Sequence, residues 1–327
     1  MLDETEGTLS EIQSRVAALG KGVEDRLIGR HPLVEKLLVG LITGGHLLVE
    51  GAPGLAKTRA VMLLADGLDA GFARIQCTPD LMPSDLTGTS VFRPDTGTFS
   101  FVSGPVFHGL VLVDEINRAP PKVQSALLEA MGEGQVTVAG ETYPLPNPFM
   151  VVATQNPIEH EGTFPLPEAQ LDRFMLHVVV TPPGPEHERA ILDLVEQESI
   201  AGSPEPTESL SDERVLEARR AVAQVHVSPA LKDYIVRLVT ATRGGDLAPE
   251  LATLIEHPVS PRGSLSLVSG ARALAWLRGR DFATPEDVRE LAGDVLAHRL
   301  ILTWRATADG ETPRGVVNRL LERVAAL

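Results

Sequence analysis

Cysteine, aromatic side chains, clustered basic charge and long apolar runs are all scarce in this sequence of 327 residues. The single cysteine, Cys77, excludes an internal disulfide and any multi-cysteine metal site. Lys and Arg number 29 against 44 Asp and Glu, a net charge of −15. That balance argues against nucleic acid as the main partner, because phosphate backbones are held by clustered cations. The densest basic stretch, Arg214 to Arg220, is interleaved with Glu213 and Glu217. The greasiest stretch, Leu37 to Val49, is broken by Gly40, Gly44, Gly45 and His46. It falls short of the roughly 20 apolar residues that span a bilayer. The opening MLDETEGTLS lacks the basic-then-apolar run of a secretion signal, so a cytoplasmic protein without membrane insertion is expected. The nine histidines show no HExxH or other paired ligand spacing.

What is present is a folded composition, 43% hydrophobic and 22% charged, in a chain long enough for two modest domains. Short apolar runs at Leu47–Val49, Ala73–Gln76, Leu110–Val113, Met150–Ala153 and Leu176–Val180 read as strands buried on both faces. Helical patterns separate them. The one after Pro120-Pro121 places Val123, Ala126, Leu127, Ala130 and Met131 on one stripe. This alternation predicts an α/β fold, a sandwich around a parallel five-stranded sheet. Two stretches interrupt it, near 87–105 and 132–148, and both read as β-hairpin insertions. After the Pro/Ser/Glu-rich AGSPEPTESL the character changes. Residues 1–205 are expected to form the α/β core and 206–327 an all-α domain. In the latter, Thr284-Pro285-Glu286-Asp287 is a helix start, with Thr as cap and acids in the first turn. Trp276 and Trp304 are expected to pack this domain, and Cys77 to be a small core residue rather than a nucleophile.

The strongest chemical signal is Leu47-Leu48-Val49-Glu50 followed by Gly51-Ala52-Pro53-Gly54-Leu55-Ala56-Lys57-Thr58-Arg59. A strand, a glycine-containing turn and Lys-Thr opening a helix form a P-loop pattern, in which backbone N–H groups curl round a phosphate. Lys57 would reach the β- and γ-phosphates of ATP, and the Thr58 hydroxyl would bind Mg²⁺. Ala56 stands where the usual pattern has glycine, which is permissible if that residue already belongs to the helix. Taken alone, the motif is also compatible with an ordinary strand-to-helix turn.

A second apolar strand ends in Asp114 and Glu115. Two carboxylates are costly in a core but useful at the ligand edge of a parallel sheet. Asp114 would hold Mg²⁺, and Glu115 would orient and polarise the attacking water. A solvated loop pair is the plainer alternative, weakened by the P-loop upstream. A third strand runs into Gln155-Asn156-Pro157, where Asn156 could hold that water or serve as a turn residue.

With GAPGLAKT, VLVDEINRAPPKVQSALLEAM, ATQNP, EGTFPLPEAQLDRF and the Ser260-Pro261-Arg262 triplet in order, the sequence resembles the MoxR family of AAA+ ATPases. The resemblance covers most of residues 27–182 and, more loosely, the C-terminal domain. That family commonly carries Ala at the P-loop position of Ala56. The resemblance implies Lys57 and Thr58 as the Walker A pair, Asp114 and Glu115 as Walker B, and Asn156 as sensor 1. It implies Arg173 as an arginine finger for a neighbouring subunit, where the residue alone would read as a surface ion pair. It implies Arg262 as sensor 2, reporting the γ-phosphate to a lid domain. Ile28 and Gly29 fall where adenine-side contacts begin, and Arg118 is open between a core pairing and a role across the subunit interface. The two hairpins coincide with the family's helix-2 insert and pre-sensor-1 hairpin. The implied activity is ATP hydrolysis with Mg²⁺ in a hexameric ring, driving chaperone-like remodelling, maturation or cofactor insertion of a client. A von Willebrand factor A-domain protein is the implied partner. Two other readings stand beside it: a helicase-like nucleic-acid motor, and a nucleotide-dependent scaffold with little turnover.

Overall fold

The computed structural model of the chain describes residues 2–157, 162–201, 209–244 and 248–326. The segment read as an interdomain linker lies mostly outside them. Helices α1 (Leu2–Glu24) and α2 (His31–Thr43) precede strand β1 (Leu47–Glu50). Next come α3 (Lys57–Asp66), β2 (Phe72–Gln76), α4 (Pro83–Thr87) and the hairpin β3 (Gly88–Arg93) and β4 (Thr98–Ser103). Strand β5 (Leu110–Asp114) leads into α5 (Pro121–Glu133) and a second hairpin, β6 (Gln135–Val138) and β7 (Glu141–Pro144). Then follow β8 (Met150–Gln155), α6 (Glu168–Leu171) and β9 (Leu176–Val179).

The five expected strands form one parallel sheet in the order β2-β5-β8-β1-β9. Successive residues face opposite sides of a strand. Leu110, Leu112, Met150 and Val152 therefore enter one apolar cluster, while Val111, Val113, Val151 and Ala153 enter another. Burial on both faces is why these strands read as continuous apolar runs. Both hairpins lie outside the sheet, and the second turns through Ala139 and Gly140, each at positive φ. On α5, Gln124 is buried beside Val123 and Leu127, while Ala126 is half-buried. The Gln124 amide donates to the carbonyls of Ile116 and Phe164.

The C-terminal half comprises α7 (Pro185–Ala201), α8 (Asp212–Gln224), α9 (Pro229–Thr240), α10 (Pro249–Ala252), α11 (Pro261–Leu277), α12 (Pro285–Leu296), α13 (Trp304–Ala308) and α14 (Pro313–Arg323). It is helical but not wholly so, because β10 (Ile255–His257) and β11 (Ile301–Leu302) form an antiparallel ladder. The first apolar cluster continues from the sheet through α1 and α2 into α8, α9, α11 and α12. Lys36 Nζ on α2 donates to Glu290 at 3.2 Å, and Arg278 bridges Glu35 and Glu290. Trp276 is buried as expected, whereas Trp304 is 80% exposed rather than packed into the domain. It occupies the first position of the short α13, whose buried residue is Ala306. No described helix is long and apolar enough to cross a membrane.

Candidate active site

The turn after β1 begins at Gly51, where a Cβ would approach the Val180 carbonyl to 2.7 Å, so glycine is the residue that fits. Gly54 has φ +79°, and a Cβ there would meet nothing, leaving the outer face of the loop open. Ala56 corrects the sequence reading. It is not helical but left-handed, φ 60° and ψ 22°, capping the N-terminus of α3. Lys57 then opens the helix and curls back so that Nζ donates to the carbonyls of Gly51 and Ala52. Burial lowers the Lys57 pKa, an effect opposed by Asp114, Glu115 and Glu50. Glu50, the last residue of β1, pairs with His177 of β9 at 2.9 Å.

Asp114 ends β5 almost wholly buried, with every oxygen engaged. Thr58 Oγ1 donates to its carboxylate at 3.1 Å and Thr154 Oγ1 at 2.6 Å. Arg74 of β2 donates through Nη2 at 2.7 Å and Nε at 3.1 Å. Arg74 and Thr154 were not singled out from sequence. Each is a polar residue in a largely apolar strand, and that polarity was the available signal. Glu115 follows in a left-handed conformation, φ 56° and ψ 52°. Its amide donates to Thr154 Oγ1, and its carboxylate accepts from Gln76 at 3.0 Å and Arg118 at 3.2 Å. Arg118 is thus placed on Glu115 within the chain. Asn156 is buried just past β8, its carbonyl accepting from Asn117 Nδ2.

Ala56, Lys57, Thr58, Arg74, Asp114, Glu115, Thr154 and Asn156 line a cavity of about 640 Å³ at the C-terminal edge of the sheet, with Pro53, Gly54, Leu55, Arg59 and Arg26. Arg59 also pairs with Glu198 of α7. Ile28 and Gly29 do not line this cavity; they lie between α1 and α2, where Gly29 backs onto His187. The donor set fits a nucleotide with Mg²⁺: one buried carboxylate, two hydroxyls, an exposed glycine turn and a helix N-terminus. Thr58 and Asp114 are the residues that would hold the ion. Among the described residues there is no separate cluster of three or more His, Cys, Asp or Glu. Cys77 is buried, and burial pushes its thiol up to about 12, so it is no nucleophile.

Arg173 and Arg262 lie elsewhere. They share a cleft with Gly44, His46, Gly132 and Arg299, and this cleft has no residue in common with the cavity around Lys57. Leu176 pairs with Leu47, the first residue of β1, and Met175 N donates to the His46 carbonyl. Arg173 therefore sits at the N-terminal edge of the sheet, while the P-loop follows its C-terminal edge. The four residues of β1 separate the two edges by about 13 Å at 3.3 Å per residue. Arg173 Nη1 donates to the Leu128 carbonyl at 2.6 Å and lies over Gly132, where a Cβ would come within 1.7 Å of it. Arg262 pairs with Asp172 at 3.4 Å. Neither arginine serves the phosphate cavity of its own chain in this arrangement.

Residues 46–176 match the family described as ATPase family associated with various cellular activities (AAA), and residues 249–320 match the AAA lid domain. The chain is 45% identical to Chaperone MoxR1 of Mycobacterium tuberculosis, covering 98% of this chain and 84% of that protein. It is 32% identical to Protein MoxR of Methylorubrum extorquens, covering 90% of each. The crystal structure of a Cytophaga hutchinsonii protein superposes with a TM-score of 0.90 at 42% identity, covering 99% of this chain and 98% of that one.

Proposed function

The chain belongs to the MoxR family of AAA+ ATPases and is an ATP-hydrolysing enzyme with a chaperone role, and from that premise we propose that it works as a ring that remodels or matures a client protein. The observation that carries the reading is the separation of the site into two halves. Lys57, Thr58, Asp114 and Glu115 line one edge of the sheet, and Arg173 with Arg262 line the other. A head-to-tail interface brings the second half of one subunit onto the first half of the next, and repetition closes a ring. A hexamer is the state we propose.

Within a composite site, backbone N–H groups of the Gly51–Ala56 turn and the N-terminus of α3 hold the phosphates. Lys57 exchanges its two carbonyl partners for phosphate oxygens. Thr58 and Asp114 would hold Mg²⁺, which when bound would neutralise charge on the phosphate oxygens. Glu115, fixed between Gln76 and Arg118, accepts the proton of the attacking water, and Asn156 orients that water. Arg173 and Arg262 of the neighbour contribute permanent, planar positive charge to the transferring phosphoryl group. Residues 206–327 act as the lid in this scheme. The β3–β4 hairpin presents Phe92 and Phe99, half exposed or more and with ring centroids 5.3 Å apart, as an apolar surface for a client. A von Willebrand factor A-domain partner and a cytoplasmic setting complete the proposal.

The test measures ATP turnover against protein concentration for wild type and Arg173→Ala, with sizing in the same buffers. Specific activity should climb with concentration. The variant should lose about a thousandfold in kcat even when assembled, the scale of an arginine finger. Turnover that is independent of concentration and indifferent to Arg173→Ala would sink the composite site.

A further inference from the structure

The segment that carries Arg173 is held by several side chains of the C-terminal half, and Arg299 makes most of those bonds. Arg299 follows α12, and its side chain is only 2% exposed. Its Nε donates to Asp172 Oδ1 at 2.9 Å. Nη2 donates to the carbonyls of Asp172 at 3.2 Å and Phe174 at 2.7 Å, and Nη1 to the Met175 carbonyl at 3.3 Å. A single planar fork thus grips residues 172, 174 and 175, on both sides of Arg173. Asp172 is gripped in turn. Ser260 Oγ, which caps α11, donates to both of its oxygens at 3.1 Å, and Arg262 pairs with it at 3.4 Å.

We propose that Arg299 and Asp172 are positioning residues for ATP hydrolysis in the adjacent subunit: their buried fork locks the Arg173 segment to the start of α11, so that Arg173 and Arg262 are presented as one rigid pair. An exposed ion pair would be too weak and too mobile for this. A buried guanidinium with fixed donor directions differs, because breaking one bond leaves charge or donors unsatisfied and the geometry has few alternatives. Neither residue lines the cavity around Lys57, so neither touches nucleotide held there. Arg299 is anchored within the lid by the Val295 carbonyl while it donates to Asp172, Phe174 and Met175 of the core, so a lid rotation that keeps these bonds carries the Arg173 segment with it.

This inference rests on the trans arrangement proposed above, and the experiment separates the two. Asp172→Asn keeps the size of the side chain and weakens the fork, and Arg299→Lys keeps the charge and loses the planar geometry. Each should lower kcat by about a hundredfold, the cost of misplacing a catalytic group by roughly 1 Å, while the KM for ATP and the affinity for a fluorescent ADP analogue hold at the wild-type value. Melting curves identify a variant that has not folded, and the other variant then carries the test. Each variant is next co-assembled with Glu115→Gln subunits, which have an intact arginine pair and a dead Glu115. Activity should return to about a quarter of wild type at equal mixing, the chance that an intact P-loop side meets an intact arginine side in a head-to-tail ring. Arg173→Ala mixed with Glu115→Gln is the reference. If that reference recovers and the folded Asp172 or Arg299 variant does not, or if the variants turn over like wild type, the positioning role is wrong. If the reference itself fails to recover, the trans arrangement fails and the positioning role falls with it.

Discussion

Ala56 spends its Cβ in the left-handed region, where an L-residue other than glycine is disfavoured by roughly 1–2 kcal/mol. Restoring glycine removes that penalty but loosens the unfolded chain, which offsets part of it. Ala56→Gly should therefore stabilise the protein by about 1 kcal/mol or less in urea denaturation. An equal or larger destabilisation would mean that the methyl group packs usefully against its neighbours. Glu115 is left-handed as well, and two donors fix its carboxylate. Glu115→Gln keeps the size and removes the base, so hydrolysis should fall by about 10² to 10⁴ while nucleotide affinity measured by titration stays at the wild-type level. The phosphate-side residues were legible because a P-loop compresses its chemistry into eight consecutive positions. Arg74 and Thr154 were not. Each reaches Asp114 from a different strand, a convergence created by the order β2-β5-β8 and invisible in linear spacing.

The elements that could be read were those with one dominant pattern. The five sheet strands are continuous apolar runs because the parallel sheet is covered on both faces, and each was located to within about two residues, as expected for boundaries. The ladder of β10 and β11 escaped, since two or three residues carry no period. The start of α12 was fully legible: Thr284 and Asp287 form a reciprocal capping box. Asp287 is 1% exposed. Burial alone would raise its pKa, but hydrogen bonds from Arg280 and Thr284 hold it below the ordinary value. A carboxyl depressed in the folded state stabilises above its unfolded pKa near 3.9, and that contribution disappears as pH falls through the folded value. Asp287→Asn should thus cost about 3 kcal/mol near neutral pH, by leaving Arg280 partly uncompensated. It should also flatten the acid-side decline in melting temperature. An unchanged acid profile would assign that decline to other carboxylates.

At the scale of the whole chain, the layers were legible and the placement of the lid was not. Periodicity says that α11 has a buried face, but not which edge of the sheet its first turn approaches. Arg262 could therefore be recognised as a candidate without the cleft it shares with Arg173 being foreseen. Nor did any pattern distinguish the two tryptophans, because a helix start and a helix interior carry similar local composition. Their different burial gives the protein two built-in optical probes. Iodide, a charged quencher excluded from apolar interiors, reaches the indole of Trp304 and leaves Trp276 dark to it. At constant ionic strength one component of the emission should be quenched, and Trp304→Phe should abolish the effect. The residual, unquenched component then reports unfolding of the lid, and any shielding of the quenched one during assembly reports burial of the α13 face without a label being attached.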